Sequence, residues 1–198
     1  MRSLCTLVHK PGFGRAAFQH YYEQHHAPLA CTLFPFAAYR RNHVLEGPDL
    51  GFDTISEFEA ADLAVIGQVL AGEAGPIIAA DEARFLDAAR NRPAGAQQHV
   101  LSAGDRADAA GLRTAVLVQG EGAAAAALAC ARDLAQGHAG VSVDLLTAWS
   151  EPAFPAQAVI WLEGRADIPA LTGGLTGTTL ILRHCATPDS ELVASQCR

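Results

Sequence analysis

The chain has 198 residues, half of them apolar, 18% charged, with a formal net charge of −7. This is ample material for a core, and the length fits one large domain or two small ones. Acidic residues outnumber basic ones 21 to 14, Lys10 is the single lysine and no Lys/Arg run exists, so a nucleic-acid partner is not expected.

No window approaches the roughly 18 apolar residues of a membrane span, and "MRSLCTLVHKPGFGR" lacks the apolar core and cleavage site of a secretory leader. A cytoplasmic protein without a membrane partner is the expectation. The five cysteines, Cys5, Cys31, Cys130, Cys185 and Cys197, are scattered and never form a CxxC pair, so neither a disulfide framework nor a zinc site is expected.

In chain order, "RSLCTLVHK" reads as a strand broken by Pro-Gly, and "GRAAFQHYYEQHH" places Phe18, Tyr21, Tyr22 and His25 at helical spacing. Pro28 disfavours helical geometry at Ala27, which predicts that this helix ends there with His25 and His26 in its last turn. "FAAYRRNHVLEG" and "DLGFDTI" follow as strands able to pair across "EGPD". Ser56 is the predicted N-cap of "SEFEAADLAVIGQVL", "AGPIIAADEARFLDAAR" is a second helical piece and "QQHVLSAG" a fourth strand.

After the linker "DRADAAGL" the pattern restarts. "RTAVLVQG" is a strand, the alanine-rich "EGAAAAALACARDLAQGH" a helix, "GVSVDLLTAW" and "AQAVIWLEG" strands, "ADIPALTGGL" a short helix and "TTLILRHCAT" a closing strand. The chain therefore reads βαββαβ twice: residues 1–104 and 113–187 as two tandem ferredoxin-like units, with 188–198 as a loose tail. Packing their open sheet faces together gives an internal pseudo-dimeric α+β barrel. Exposed sheet edges could still join two such chains as a homodimer.

Candidate chemistry concentrates in residues 18–43. His26, with an ordinary pKa near ~6.5, suits proton transfer, while its bland reading is a helix-end residue. Strand alternation places Tyr39, Arg41 and His43 on one face and Arg40, Asn42 and Val44 on the other, so Tyr39 and Asn42 point apart unless the strand is bulged. Arg40 and Arg41 read as a solvated face or as partners of a helix end, and His43 as a core histidine or a ligand contact. "GEGAAA" and "TGGLTGTT" match no nucleotide-binding pattern and no HExxH occurs, so neither nucleotide nor metal binding is expected.

"HKPGFGRAAFQHYYEQHHAPLACTLFPFAAYRRNHVL", "LGFDTISEFEAA" and "ADEARFLD" together resemble the EthD family of dimeric α+β-barrel proteins over residues 3–101. The matching pieces are a "KPG" after the first strand, a helix ending in a "HAPLA"-type motif, a "Y…N-H" strand and a late "DE..FLD". The resemblance implies a cofactor-free pocket between sheet and helices that takes a small apolar or aromatic molecule, with the motif histidine at His26 and the strand aromatic at Tyr39. Tyr22 stands where the family has tryptophan. The second unit lacks the motif, so one active pocket per chain is expected.

The chemistry implied is lyase or isomerase proton transfer on a lactone, aromatic or polyketide-like substrate. In that reading His26 is the acid–base and Tyr39 or Asn42 steadies the oxygen that gains charge. Phe18, Tyr22, Phe36 and His43 are the expected wall. The alternatives are a non-catalytic small-molecule binding protein, and a cofactor-free monooxygenase or haem-associated protein of the same superfold.

Overall fold

The computed structural model describes residues 1–104, 111–168 and 174–192. Its first unit contains β1 (Arg2–Leu7), α1 (Arg15–Tyr21), α2 (Ala27–Leu33), β2 (Phe36–Glu46), β3 (Thr54–Ala60), α3 (Leu63–Ala71), α4 (Ala74–Phe85) and β4 (Arg92–Val100). The second contains β5 (Gly111–Gln119), α5 (Ala123–Leu134), β6 (Ser142–Ala148), β7 (Ala158–Glu163) and β8 (Thr176–Ala186). The order within the first unit is β4-β1-β3-β2 and within the second β8-β5-β7-β6, the same arrangement used twice. β2 pairs antiparallel with β8 and β4 with β6, so the two open edges of each unit meet and the eight strands close into one barrel.

Period-two alternation explains how each strand serves two cores. Inward residues of both units, among them Leu4, Val44, Ile55, Leu117, Val159, Trp161 and Leu182, form one shared interior. Outward residues such as Leu7, Phe36 and Tyr39 pack under α1, α2 and α4, and Val116, Val118, Val143 and Ile160 pack under α5 through Ala123, Ala127 and Ala131. The small alanine faces let α5 lie close to its sheet. Closure leaves none of the eight strands with a free edge, which removes edge pairing as a route to a second chain.

Several local expectations change. The first helix does not end at Pro28: a wide π-turn, Tyr22–His26, follows α1, and α2 continues to Leu33 with Pro28 in its first turn. Proline lacks an N–H and fits a helix start, and the extra residue in the wide turn lets the helical path continue past it. Ser56 lies inside β3, and the N-cap of α3 is Asp62, whose carboxylate accepts from the Ala64 N–H at 2.8 Å. β4 begins at Arg92, five residues before the predicted strand. Residues 166–168 of the predicted short helix are not helical, and 169–173 lie outside the described residues.

The predicted loose tail is tied down where it is described. After a single turn at Asp189–Glu191, Leu192 is fully buried in the helix-side core of the first unit. None of the described helices is long and apolar enough to cross a membrane.

Candidate active site: a histidine–aspartate pair beside an apolar cavity

A cavity of about 600 Å³ lies between the outer face of the first unit's sheet and its helices, within the range that suits small-molecule ligands. Its wall is mostly apolar: Phe34, Phe36, Tyr39 and Phe58 from β2, β3 and the turn before β2, and Ala30, Ile66, Leu70 and Ile78 from the helices. Phe36, Tyr39 and Phe58 form a packed aromatic surface, with the Tyr39 and Phe58 rings stacked at 5.0 Å. The polar groups that interrupt it include His26, Glu82, Ser3 and Cys5.

His26 ends the π-turn and is 7% exposed. Its Nδ1 lies 2.8 Å from Asp81 Oδ2 on α4, and Tyr21 Oη donates to the other carboxylate oxygen at 2.7 Å. Burial, opposed by the Asp81 hydrogen bond and charge, holds the imidazole below its ordinary pKa of 6.5. The ring is thus neutral at pH 7, and the carboxylate selects the tautomer with the proton on Nδ1. Nε2 keeps its lone pair for the cavity that His26 lines. Phe85 and Tyr22 pack at 5.1 and 5.0 Å from the imidazole and fix its plane.

Glu82 follows Asp81 on α4 and lines the same cavity; burial first, and then the charge of Asp81, push its carboxyl above the usual range. Burial pushes the Cys5 thiol up to about 12, so it stays protonated.

The remaining predicted site residues divide. Tyr39 and Phe36 line the cavity with His26. The Tyr39 hydroxyl donates to Tyr22 Oη at 2.8 Å, and Tyr22 lies 2.6 Å from Ser56 Oγ, so three hydroxyls form a buried chain. Phe18 and Tyr22 are fully buried behind the cavity, where Phe18 stacks on Phe85. His43 is also buried away from it, between Thr54 Oγ1 at 2.7 Å and Glu23 Oε1 at 2.7 Å.

Asn42 faces the barrel interior, as alternation requires, because the two register irregularities of β2, at Phe36/Ala38 and at Val44/Glu46, both fall outside the stretch from Tyr39 to Asn42. Its Nδ2 donates to Ile55 O at 3.0 Å and Glu57 Oε1 at 2.7 Å, while its Oδ1 accepts from Arg113 Nη1 at 3.0 Å and meets His184 Nδ1 at 2.9 Å. Every hydrogen-bonding position of the amide is occupied, so Asn42 is an interior cross-link and not a partner of His26.

Arg41 is buried and holds Glu23 with two bonds, at 3.1 and 2.7 Å, which makes it a helix partner and not part of a solvated face. Among the described residues one trio has metal-ligating atoms within 4.8 Å of one another: Glu23, His43 and Cys185. Burial would raise the Glu23 carboxyl, but His43 and Arg41 hold it down to about 2. A cation there would compete with a guanidinium that already neutralises the carboxylate, so the donor set fits a metal poorly.

Asp81, Glu82 and Trp149 were not among the residues the sequence singled out. The first two lie in "ADEARFLD", but only the docking of α4 on the π-turn pairs Asp81 with His26. Trp149 follows β6 of the second unit and still lines the cavity of the first.

The architecture is that of an α+β-barrel protein with a buried histidine–aspartate pair on the wall of an apolar cavity. Residues 10–89, within the first unit, match the sequence model of the EthD domain. No functionally curated protein is significantly similar to the chain. An anthrone oxidase-like protein of known structure is 13% identical with a TM-score of 0.56, covering 93% of this chain and 92% of its own. It shares the double-unit barrel along nearly the whole chain. An EthD family protein from Bacillus halodurans is 22% identical over 43% of this chain and 87% of its own, with a TM-score of 0.37.

Proposed function

We propose that the chain is a small-molecule enzyme of the lyase or isomerase type, acting by acid–base proton transfer without a cofactor. The observation that carries this reading is the neutral, buried His26 held by Asp81 at the wall of an apolar cavity. The substrate is a lactone, aromatic or polyketide-like molecule whose flat apolar body packs on Phe36, Tyr39 and Phe58.

His26 Nε2 takes a proton from a carbon next to the substrate carbonyl, and the imidazolium that forms is stabilised by Asp81. The same nitrogen returns the proton to another atom, or delivers it to a departing hydroxyl. Glu82 is the second group on the cavity wall able to hand over a proton. The oxygen that gains charge needs a donor, and turning the three hydroxyls of Ser56, Tyr22 and Tyr39 in concert would reverse their chain and aim the Tyr39 proton at a bound oxygen.

Two other readings have a specific observation behind them. The mostly apolar wall suits a protein that only binds its ligand. The anthrone oxidase-like structure shares the barrel, but at 13% identity that likeness concerns fold alone. Incubation in D2O with a panel of small lactones, aromatic ketones and phenols, followed by proton NMR and an oxygen electrode, separates the three. The proposal expects loss of a carbon-bound proton signal from at least one panel member without oxygen uptake. Saturable binding with no exchange favours the binding protein, and oxygen uptake the oxygenase.

A further inference from the structure

We propose that Trp149, a residue of the second unit, sets ligand size at the mouth of the first unit's cavity and favours fused-ring over single-ring molecules. The inference rests on that cavity being the ligand site, as proposed above, but not on its being catalytic.

An indole is among the costliest side chains to leave in water, yet Trp149 is 46% exposed and belongs to none of the packed clusters of the described residues. It is nevertheless held in place. Its backbone N–H donates to Pro93 O at 3.2 Å, and its ring rests over Gly95 on β4. A Cβ at Gly95 would lie 2.8 Å from Cζ2 and 3.0 Å from Cε2 and Nε1 of the indole. Glycine inside a strand weakens it, and here its use is to let the ring approach the backbone.

Two further large apolar residues of the cavity wall, Met1 and Leu70, are 61% and 49% exposed. Together with Trp149 they form an apolar rim that a ligand longer than one ring would cover. The two units then divide the work: the first holds the His26–Asp81 pair, and the second contributes the aromatic surface at the entrance.

The test uses the full chain labelled with ¹⁵N. Its two tryptophans, Trp149 and Trp161, give two indole N–H signals, and Trp149→Phe assigns them by loss of one. Trp161 is fully buried and donates to Asp144 at 2.7 Å, which makes its signal an internal reference. Titration with 1-naphthol is expected to shift the Trp149 signal saturably and leave the Trp161 signal in place. Trp149→Ala is expected to weaken 1-naphthol about tenfold, the worth of one good aromatic contact, and phenol less than about twofold.

Gly95→Ala, which moves the indole without removing it, should weaken 1-naphthol in the same direction. A Trp149 signal that stays fixed while 1-naphthol shifts the amides of Ala30 and Phe58 would overturn the proposal. So would equal weakening of both probes by Trp149→Ala, or failure of both to bind the unaltered chain. Naphthol binding through Trp149 without proton exchange on any panel member removes the enzyme reading and leaves this one standing.

Discussion

His26→Ala is expected to slow proton exchange on the substrate by about 10²–10⁴, the usual worth of a positioned acid–base group. Asp81→Asn should reproduce much of that loss. An asparagine in the same place can still occupy the hydrogen-bonding position at His26 Nδ1, but it no longer stabilises the imidazolium, and its NH₂ can favour the tautomer with the proton on Nε2. That tautomer presents a donor to the cavity where a lone pair is needed. The pair of variants is informative because Asp81 also accepts from Tyr21 on α1, so both changes touch the same packing. Thermal unfolding of each variant, recorded beside its exchange rate, separates lost chemistry from lost fold. A His26→Ala protein that folds and exchanges as fast as the unaltered chain would remove the histidine from the mechanism.

The second large effect lies inside the barrel. Arg2 donates to Asp144 at 2.8 and 3.0 Å and to Glu59 at 2.6 Å, and it also reaches Glu57. Arg113 contacts Glu57 from the second unit and lies 3.9 Å over the Trp161 ring. Glu57 therefore joins the guanidiniums of both units, with Asn42 as its third partner. Glu57→Gln keeps the shape and removes the charge, leaving two buried cations with one countercharge fewer. Breaking a buried ion pair in this way costs about 3–5 kcal/mol, which for a chain of this length lowers Tm by roughly 10 °C.

Burial alone would raise the Glu57 carboxyl, but Arg113 and then Arg2 hold it well below 4.5. Its contribution is therefore fully present above the ordinary glutamate range and is lost as pH falls through the lowered value. Melting curves should show the unaltered chain and Glu57→Gln far apart at pH 7 and converging in strong acid. Parallel curves at every pH would contradict the ionic account.

Most of the architecture was legible because the periods are clean. Continuous apolar runs of strand length in "RTAVLVQG" and "AQAVIWLEG" and the alanine face of α5 define strands and a helix, and the repeated order leads to the doubled barrel. Alternation along β2 also separated Tyr39 from Asn42 correctly. What misled was local chemistry with two solutions. A proline after two histidines ordinarily ends a helix, and only tertiary packing showed that a π-turn carries the chain past Pro28.

Polar residues inside strands posed the same difficulty. Arg2, Glu57, Arg113 and Asp144 alternate as residues of a solvated face would, yet they point at each other across the closed interior. Trp149 was invisible as a site residue for a different reason: half the chain separates it from the motif that it serves.

The most direct test of the account is the pH dependence of substrate proton exchange by the unaltered chain. A neutral base with a lowered pKa predicts a rate that is flat from pH 7 to 8 and falls only below 6.5, as His26 becomes protonated. In Asp81→Asn, which removes the influence that raises the imidazole, the residual activity should fall at a still lower pH. A rate that climbs steadily through pH 7 to 8, or an inflection that Asp81→Asn leaves unmoved, would show that the base is not the histidine held by Asp81.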